Sequence, residues 1–123
     1  MMDNLIRKSR SSSGALTKTN TALPVGPVVV KVDARITDIV NNYLEHRRQD
    51  VRGLFMALAK NDYGLIKTVA HDLIGTGGSF GFEGLSLIGL SLEKAAIKQQ
   101  PEEVALLIEG LAEYLSGVEV VYE

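Results

Sequence analysis

The sequence predicts an all-α protein: an antiparallel four-helix bundle with an additional N-terminal helical or extended segment. Three observations predict it. From Asp33 onward, apolar residues recur at helical spacing. The breaks in that pattern are short and carry Asn61-Asp62, Gly81 or Pro101, residue types that stop or start helices. No convincing sheet competes, so short-linked amphipathic helices have one another to bury against.

The elements follow in order. Residues 1–24 are rich in Ser, Thr, Asn and Lys, and Ser9 to Gly14 reads as linker. Pro24 and Pro27 bracket an extended piece, and Val28-Val29-Val30-Lys31-Val32 is β-like in propensity. It is a single run with no evident partner strand, so it is expected to pack on the body as an extended lead-in. The chain thus divides into a flexible or extended segment at 1–30 and a bundle at 31–123. Asp33 suits an N-cap. Ile36, Ile39, Val40, Tyr43 and Leu44, continued by Val51, Leu54, Phe55 and Leu58, give one long helix or two, broken near Gln49-Asp50 or Gly53. Residues 63–79 and 83–99 form the next two helices. Pro101 sits at a first-turn position before Glu102 and Glu103 and opens the last, whose core stripe is Val104, Leu107, Ile108, Leu111, Leu115 and Val118.

Composition narrows the function. The chain has 123 residues, 46% apolar and 23% charged, which suits one globular domain with a real core. There is no cysteine, so disulfides, thiol catalysis and thiolate metal sites are excluded. Aromatics are sparse at 6% and tryptophan is absent, against a base-stacking platform. Residues 1–20 hold four basic residues against one acidic, a net of +3, while the remainder, nine basic against fourteen acidic, nets −5. An acidic body is a poor nucleic-acid binder. No apolar run reaches the length of a membrane span, and Leu5-Ile6 is followed at once by charge, unlike a secretory signal. A cytoplasmic monomer is the expectation.

The helix at 63–79 has an odd pattern. At about 100° per residue, Ile66, Val69, Leu73 and Phe80, with Thr76 between them, share a stripe that faces the core. His71 falls nearly opposite, among Gly64, Lys67, Thr68, Ile74, Gly75 and Gly78. Gly75, Gly77 and Gly78 cost a helix roughly 1 kcal/mol each against alanine. Gly77 lies on the inner side, where it permits tight helix packing. Gly75 and Gly78 leave room for a bulky visitor to approach the imidazole. An isolated surface histidine ordinarily does nothing, and His46, within Glu45-His46-Arg47-Arg48, is the control. His71 differs in having a cation one turn earlier, Lys67, and costly glycines after it.

Ala70-His71-Asp72-Leu73-Ile74-Gly75-Thr76-Gly77-Gly78-Ser79-Phe80-Gly81-Phe82 resembles the phosphorylation motif of histidine phosphotransfer (HPt) domains. That motif reads His-x-Leu-Lys-Gly, a run of small residues, then an aromatic-Gly pair. Leu90 to Ile97, with Leu92-Glu93, looks like the family's following Leu-Glu helix, and the likeness covers about residues 33–122. The resemblance implies that His71 accepts a phosphoryl group from, and returns it to, an aspartate of a response-regulator receiver domain. It implies no nucleotide site or other cofactor of the chain's own, Mg²⁺ from the receiver's acidic pocket, and a hybrid histidine kinase as a further partner. Gly75 becomes the small residue that lets the receiver close in. Ile74 stands where the family has lysine. Lys67 is then the candidate stabiliser of the phosphoryl oxygens, and Ile74, Gly78, Gly64 and Thr68 join Gly75 as candidate partner contacts.

The chemistry suits the residues. An exposed imidazole of ordinary pKa, about 6.5, is largely neutral and nucleophilic near pH 7. Phosphoryl transfer is mostly positioning and charge stabilisation, which a rigid bundle can offer. Asp72 points about 100° away from His71 and reads as a surface charge rather than its orienting partner. On the helix at 83–99, Leu85, Ile88, Leu92 and Ala95-Ala96 form one apolar stripe, and Leu87, Leu90 and Ile97 a second, expected to be buried against a second neighbour or, alternatively, to dock the receiver. Gly75-Thr76-Gly77 lacks the following glycine of a dinucleotide loop and a preceding strand. The rival function is a non-phosphorylated adaptor that binds a receiver or kinase without relaying phosphate; Ile74 favours it, and His71 with Gly75 favours the relay.

Overall fold

The computed structural model describes residues 28–123. The expected flexible or extended segment at 1–30 therefore lies outside the described residues up to position 27. Strand β1 (Val28–Val32) leads through a 3-10 turn (Ala34–Ile36) into α1 (Thr37–Ala59), α2 (Tyr63–Ser79), α3 (Glu83–Ile97) and α4 (Pro101–Gly117), and the chain closes with β2 (Val118–Tyr122). Each helix packs against the next, and α4 packs back on α1, so the four form a ring around one core. The fold is the four-helix bundle that the periodicity predicts.

Three-residue connections join the helices, and all three use one device. A residue with positive φ follows each of the first three helices: Asn61 at 57°, Gly81 at 86° and Gln99 at 52°. At the second, the Gly81 N–H donates to the Gly78 carbonyl and the Phe82 N–H to the Gly77 carbonyl, at 3.1 and 2.7 Å. Asn61-Asp62 and Gln99-Gln100 repeat the pattern on Leu58 and Ala57, and on Ala96 and Ala95. This Schellman pairing satisfies the last carbonyls of these three helices and reverses the chain within a short connection. On the entry side, the Asp62 carboxylate accepts from the Leu65 N–H at 3.1 Å and caps α2. α1 runs unbroken for 23 residues, through both Gln49-Asp50 and Gly53, because it packs along α2 and α4.

The lead-in strand corrects the sequence reading. Val28–Val32 is not unpaired: it lies parallel to β2, with Val28 opposite Val118 and Val32 opposite Tyr122. Glu123 N–H extends the ladder to the Val32 carbonyl at 2.8 Å. The physical reason is the even number of antiparallel helices. After four of them the chain is back where α1 began, so the bundle itself serves as the long crossover that parallel strands need. Val118 accordingly belongs to β2 rather than to the last helix, which stops at Gly117. Val30 and Val32 are buried on the core. β1 crosses residue 30, the boundary expected from composition.

Candidate functional site

α2 presents Ile66, Ala70, Leu73 and Gly77 to the core, at the i, i+4, i+7 and i+11 spacing of one helix face. The buried stripe is thus turned slightly from the one expected: Val69, Thr76 and Phe80 are only half-buried at its margin. His71 follows Ala70 and stands on the outside, with its side chain 81% exposed. Gly64, Lys67, Thr68, Gly75 and Gly78 are all exposed around it, as the helical wheel requires. A Cβ on Gly75 would meet nothing within 4 Å, so that glycine leaves open surface beside the ring.

Ile74 departs from expectation. It is half-buried rather than exposed, and a Cβ added to Gly89 of α3 would come within 3.0 Å of its Cγ1. Its carbonyl accepts a hydrogen bond from Ser86 Oγ at 2.8 Å. An isoleucine gains by covering apolar surface, and the gap at Gly89 offers it.

Sequence reasoning missed two residues of the site, one beside the imidazole and one beside Asp72. Glu93, from α3, brings Oε2 to 3.6 Å from His71 Nδ1. That is ion-pair range for a protonated ring and lies just beyond a hydrogen bond for a neutral one. The Leu-Glu pair of α3 carried the signal, but only the α2–α3 register shows that the two side chains meet. On the opposite flank, Arg47 of α1 donates from Nη1 to Asp72 Oδ2 at 2.7 Å, and its Nε lies 2.9 Å from Asp50 Oδ2. Its guanidinium also stands 5.0 Å over the Tyr43 ring. Asp72 is therefore held by Arg47 and does not orient the imidazole. Arg47, Asp50, Thr68, Val69, His71 and Asp72 line a shallow groove between α1 and α2.

The support beneath that groove is polar and connected. Thr76 Oγ1 donates to the Asp72 carbonyl at 2.7 Å, which uses its one proton. Tyr43 must then be the donor in the 2.8 Å bond between its hydroxyl and Thr76 Oγ1. Burial pushes the Tyr43 phenol above its usual range, so it stays protonated and able to donate. Burial also raises the Asp50 carboxyl, against the pull of Arg47. For Arg47 burial pulls downward, but the Asp72 bond and the charges around it outweigh that and hold the guanidinium above its usual value. Among the described residues no three His, Asp or Glu side chains converge as a metal site would require.

The second apolar stripe of α3 is exposed, against the expectation that a second neighbour buries it. Leu87, Leu90 and Ile97 are 38, 43 and 61% exposed. The reason is the ring arrangement: α3 touches α2 and α4, and Leu85, Ile88, Leu92, Ala95 and Ala96 are enough to fill both contacts. Ser86, Leu90, Glu93 and Ile97 share one face at helical spacing, so two bare apolar side chains flank the glutamate that reaches His71.

The family model of the Hpt domain matches residues 38–119, from the first turn of α1 to the start of β2. The chain belongs to the Hpt domain family. No match to a curated protein or to a solved structure was found. Hpt domains serve histidine phosphotransfer in phosphorelays and interact with receiver domains of response regulators. The match includes α2, its exposed histidine and the Leu-Glu pair of α3, and it leaves out β1. Among the described residues no helix of this Hpt protein is long and apolar enough to cross a membrane.

Proposed function

We propose that His71 is the phosphoacceptor and exchanges a phosphoryl group with the aspartate of a receiver domain. The observation that carries this is the imidazole of His71, 81% exposed on a rigid helix with one ring nitrogen facing Glu93. The nearby carboxylate favours the tautomer with its proton on Nδ1, which leaves the Nε2 lone pair free to attack. Nε2 attacks the phosphorus of the aspartyl phosphate. The N–P bond forms as the P–O bond breaks, and the electron pair leaves on the aspartate carboxylate. The phosphorylated ring keeps its Nδ1 proton and a positive charge, which Glu93 offsets. The reverse step returns the phosphoryl group by attack of a carboxylate oxygen.

The receiver brings Mg²⁺ in its own acidic pocket. Lys67, one turn before His71, supplies the cation that Ile74 does not. Gly75, Gly78 and Gly64 keep the approach open, and Thr68 borders it. Leu90 and Ile97 form an apolar docking edge, an exposed patch of the kind that marks an interface. A hybrid histidine kinase carrying its own receiver is a second partner of the same surface.

Ile74 in place of lysine favours one other reading, an adaptor that binds a receiver without taking its phosphate. Mixing the protein with phosphorylated receivers separates the two. The relay gives acid-labile, base-stable phosphate on the chain, lost in His71→Gln. Binding with no label from any receiver would establish the adaptor instead.

A further inference from the structure

Beneath the site, α3 comes against the backbone of α2 at one point. A Cβ built on Gly89 would stand 2.8 Å from the Ala70 carbonyl oxygen and 3.0 Å from Leu73 Cβ and Ile74 Cγ1. The nearest of these is backbone, which cannot rotate aside, so even one added methyl must push the helices apart. Gly89 therefore sets how close α3 lies to α2, and it does so against the residue that precedes His71. A second close approach lies at Gly77, where a Cβ would be 3.0 Å from Phe82 O, Ser86 N and Leu85 Cβ. Between the two, Ser86 Oγ holds the Ile74 carbonyl at 2.8 Å. Glu93 sits one turn beyond Gly89, and its carboxylate ends 3.6 Å from the imidazole.

We infer that Gly89 is a positioning residue for His71 and acts through Glu93. The missing side chain holds α3 at the separation from which a glutamate reaches Nδ1. Ile74 belongs to the same device. Its Cγ1 lies against the notch at Gly89, so the side chain at this position braces the two helices instead of lying over the imidazole. The consequence for phosphoryl transfer rests on the phosphoacceptor reading. The positioning itself does not, because it can be read in the unphosphorylated protein.

The test is the pair of imidazole ¹⁵N shifts of His71 in the full chain, for the parent, Gly89→Ala, Glu93→Ala and the double variant. In the parent the Glu93 charge, 3.6 Å from Nδ1, biases the neutral ring toward the Nδ1–H tautomer. Each single variant returns the ring to the tautomer mixture of an unrestrained imidazole, and the double variant adds nothing further, since both act through one contact. Transfer from a phosphorylated receiver falls on the order of tenfold or more in each single variant, again without addition in the double. A Gly89→Ala ring that keeps the parent's tautomer bias overturns the inference. So does a Gly89→Ala loss that persists undiminished in the Glu93→Ala background. If Gly89→Ala does not fold, Ser86→Ala relaxes the same helix contact by removing one hydroxyl: a tautomer shift in the same sense supports the inference, and an unchanged ring overturns it. If the parent takes no phosphate yet shows the tautomer pattern, the phosphoacceptor reading fails and the positioning by Gly89 stands.

Discussion

His71 was legible at the residue scale because a helix has a fixed period. Once Ile66 and Leu73 are assigned inward, the histidine must face out, and Gly75 after it leaves bare surface beside it. Its neighbours on α1 and α3 were not legible, since Arg47 and Glu93 are 24 and 22 positions away and meet His71's surroundings only through the helix register. Asp72 shows both sides of this: its direction away from His71 follows from the sequence, its bond to Arg47 does not. The role given to Lys67 belongs to this scale. An exposed ammonium acting through water is a weak lever, so Lys67→Ala should slow transfer only about fivefold, and less at high salt, where the charge is screened. Rapid-quench kinetics at two salt concentrations check it, and an unchanged rate removes Lys67 from the mechanism.

Helix existence and order could be read from period and punctuation at the element scale, whereas the strand pair could not. β1 and β2 are separated by the whole bundle, and Val118 continues the spacing of Leu111 and Leu115 well enough to pass for one more helical turn. The alternation of half-buried Val118, Val120 and Tyr122 with exposed Glu119 and Val121 was the available signal. Two stability predictions follow from local geometry. Gln99 holds φ at 52°, where its Cβ crowds the backbone, so Gln99→Gly should stabilise the fold by about 1 kcal/mol in urea unfolding. The Tyr114 hydroxyl is buried and has no hydrogen-bond partner among the described residues, and burial with Tyr43 nearby pushes its phenol up to about 12. Its folded pKa is raised, so its contribution is intact below the usual 10 and is lost as the pH climbs toward 12 and the unfolded chain ionises first. Tyr114→Phe should therefore gain about 1 kcal/mol at pH 7, and it should flatten the alkaline decline measured by unfolding between pH 10 and 12.

For the whole molecule, the bundle acts as a stage. The ring of helices fixes α2 against α3, the Schellman turns keep the connections short, and the strand pair ties the two ends of the bundle together. On one side of that stage His71 stands exposed, with Leu90 and Ile97 of α3 bare nearby. Ile97→Glu, at a site 61% exposed, should leave the unfolding midpoint unchanged and weaken receiver binding about tenfold. Leu106→Glu on α4, 62% exposed and remote from α2, should change neither. Titration calorimetry with a receiver distinguishes the two positions. The central claim is about a single nitrogen. ³¹P–¹⁵N correlation on ¹⁵N-histidine-labelled protein, mixed with a phosphorylated receiver, locates the phosphorus directly. Coupling of the phosphorus to Nε2 of His71 is the expected result, while phosphorus on His46, or none on the chain while the receiver still binds, would contradict the account.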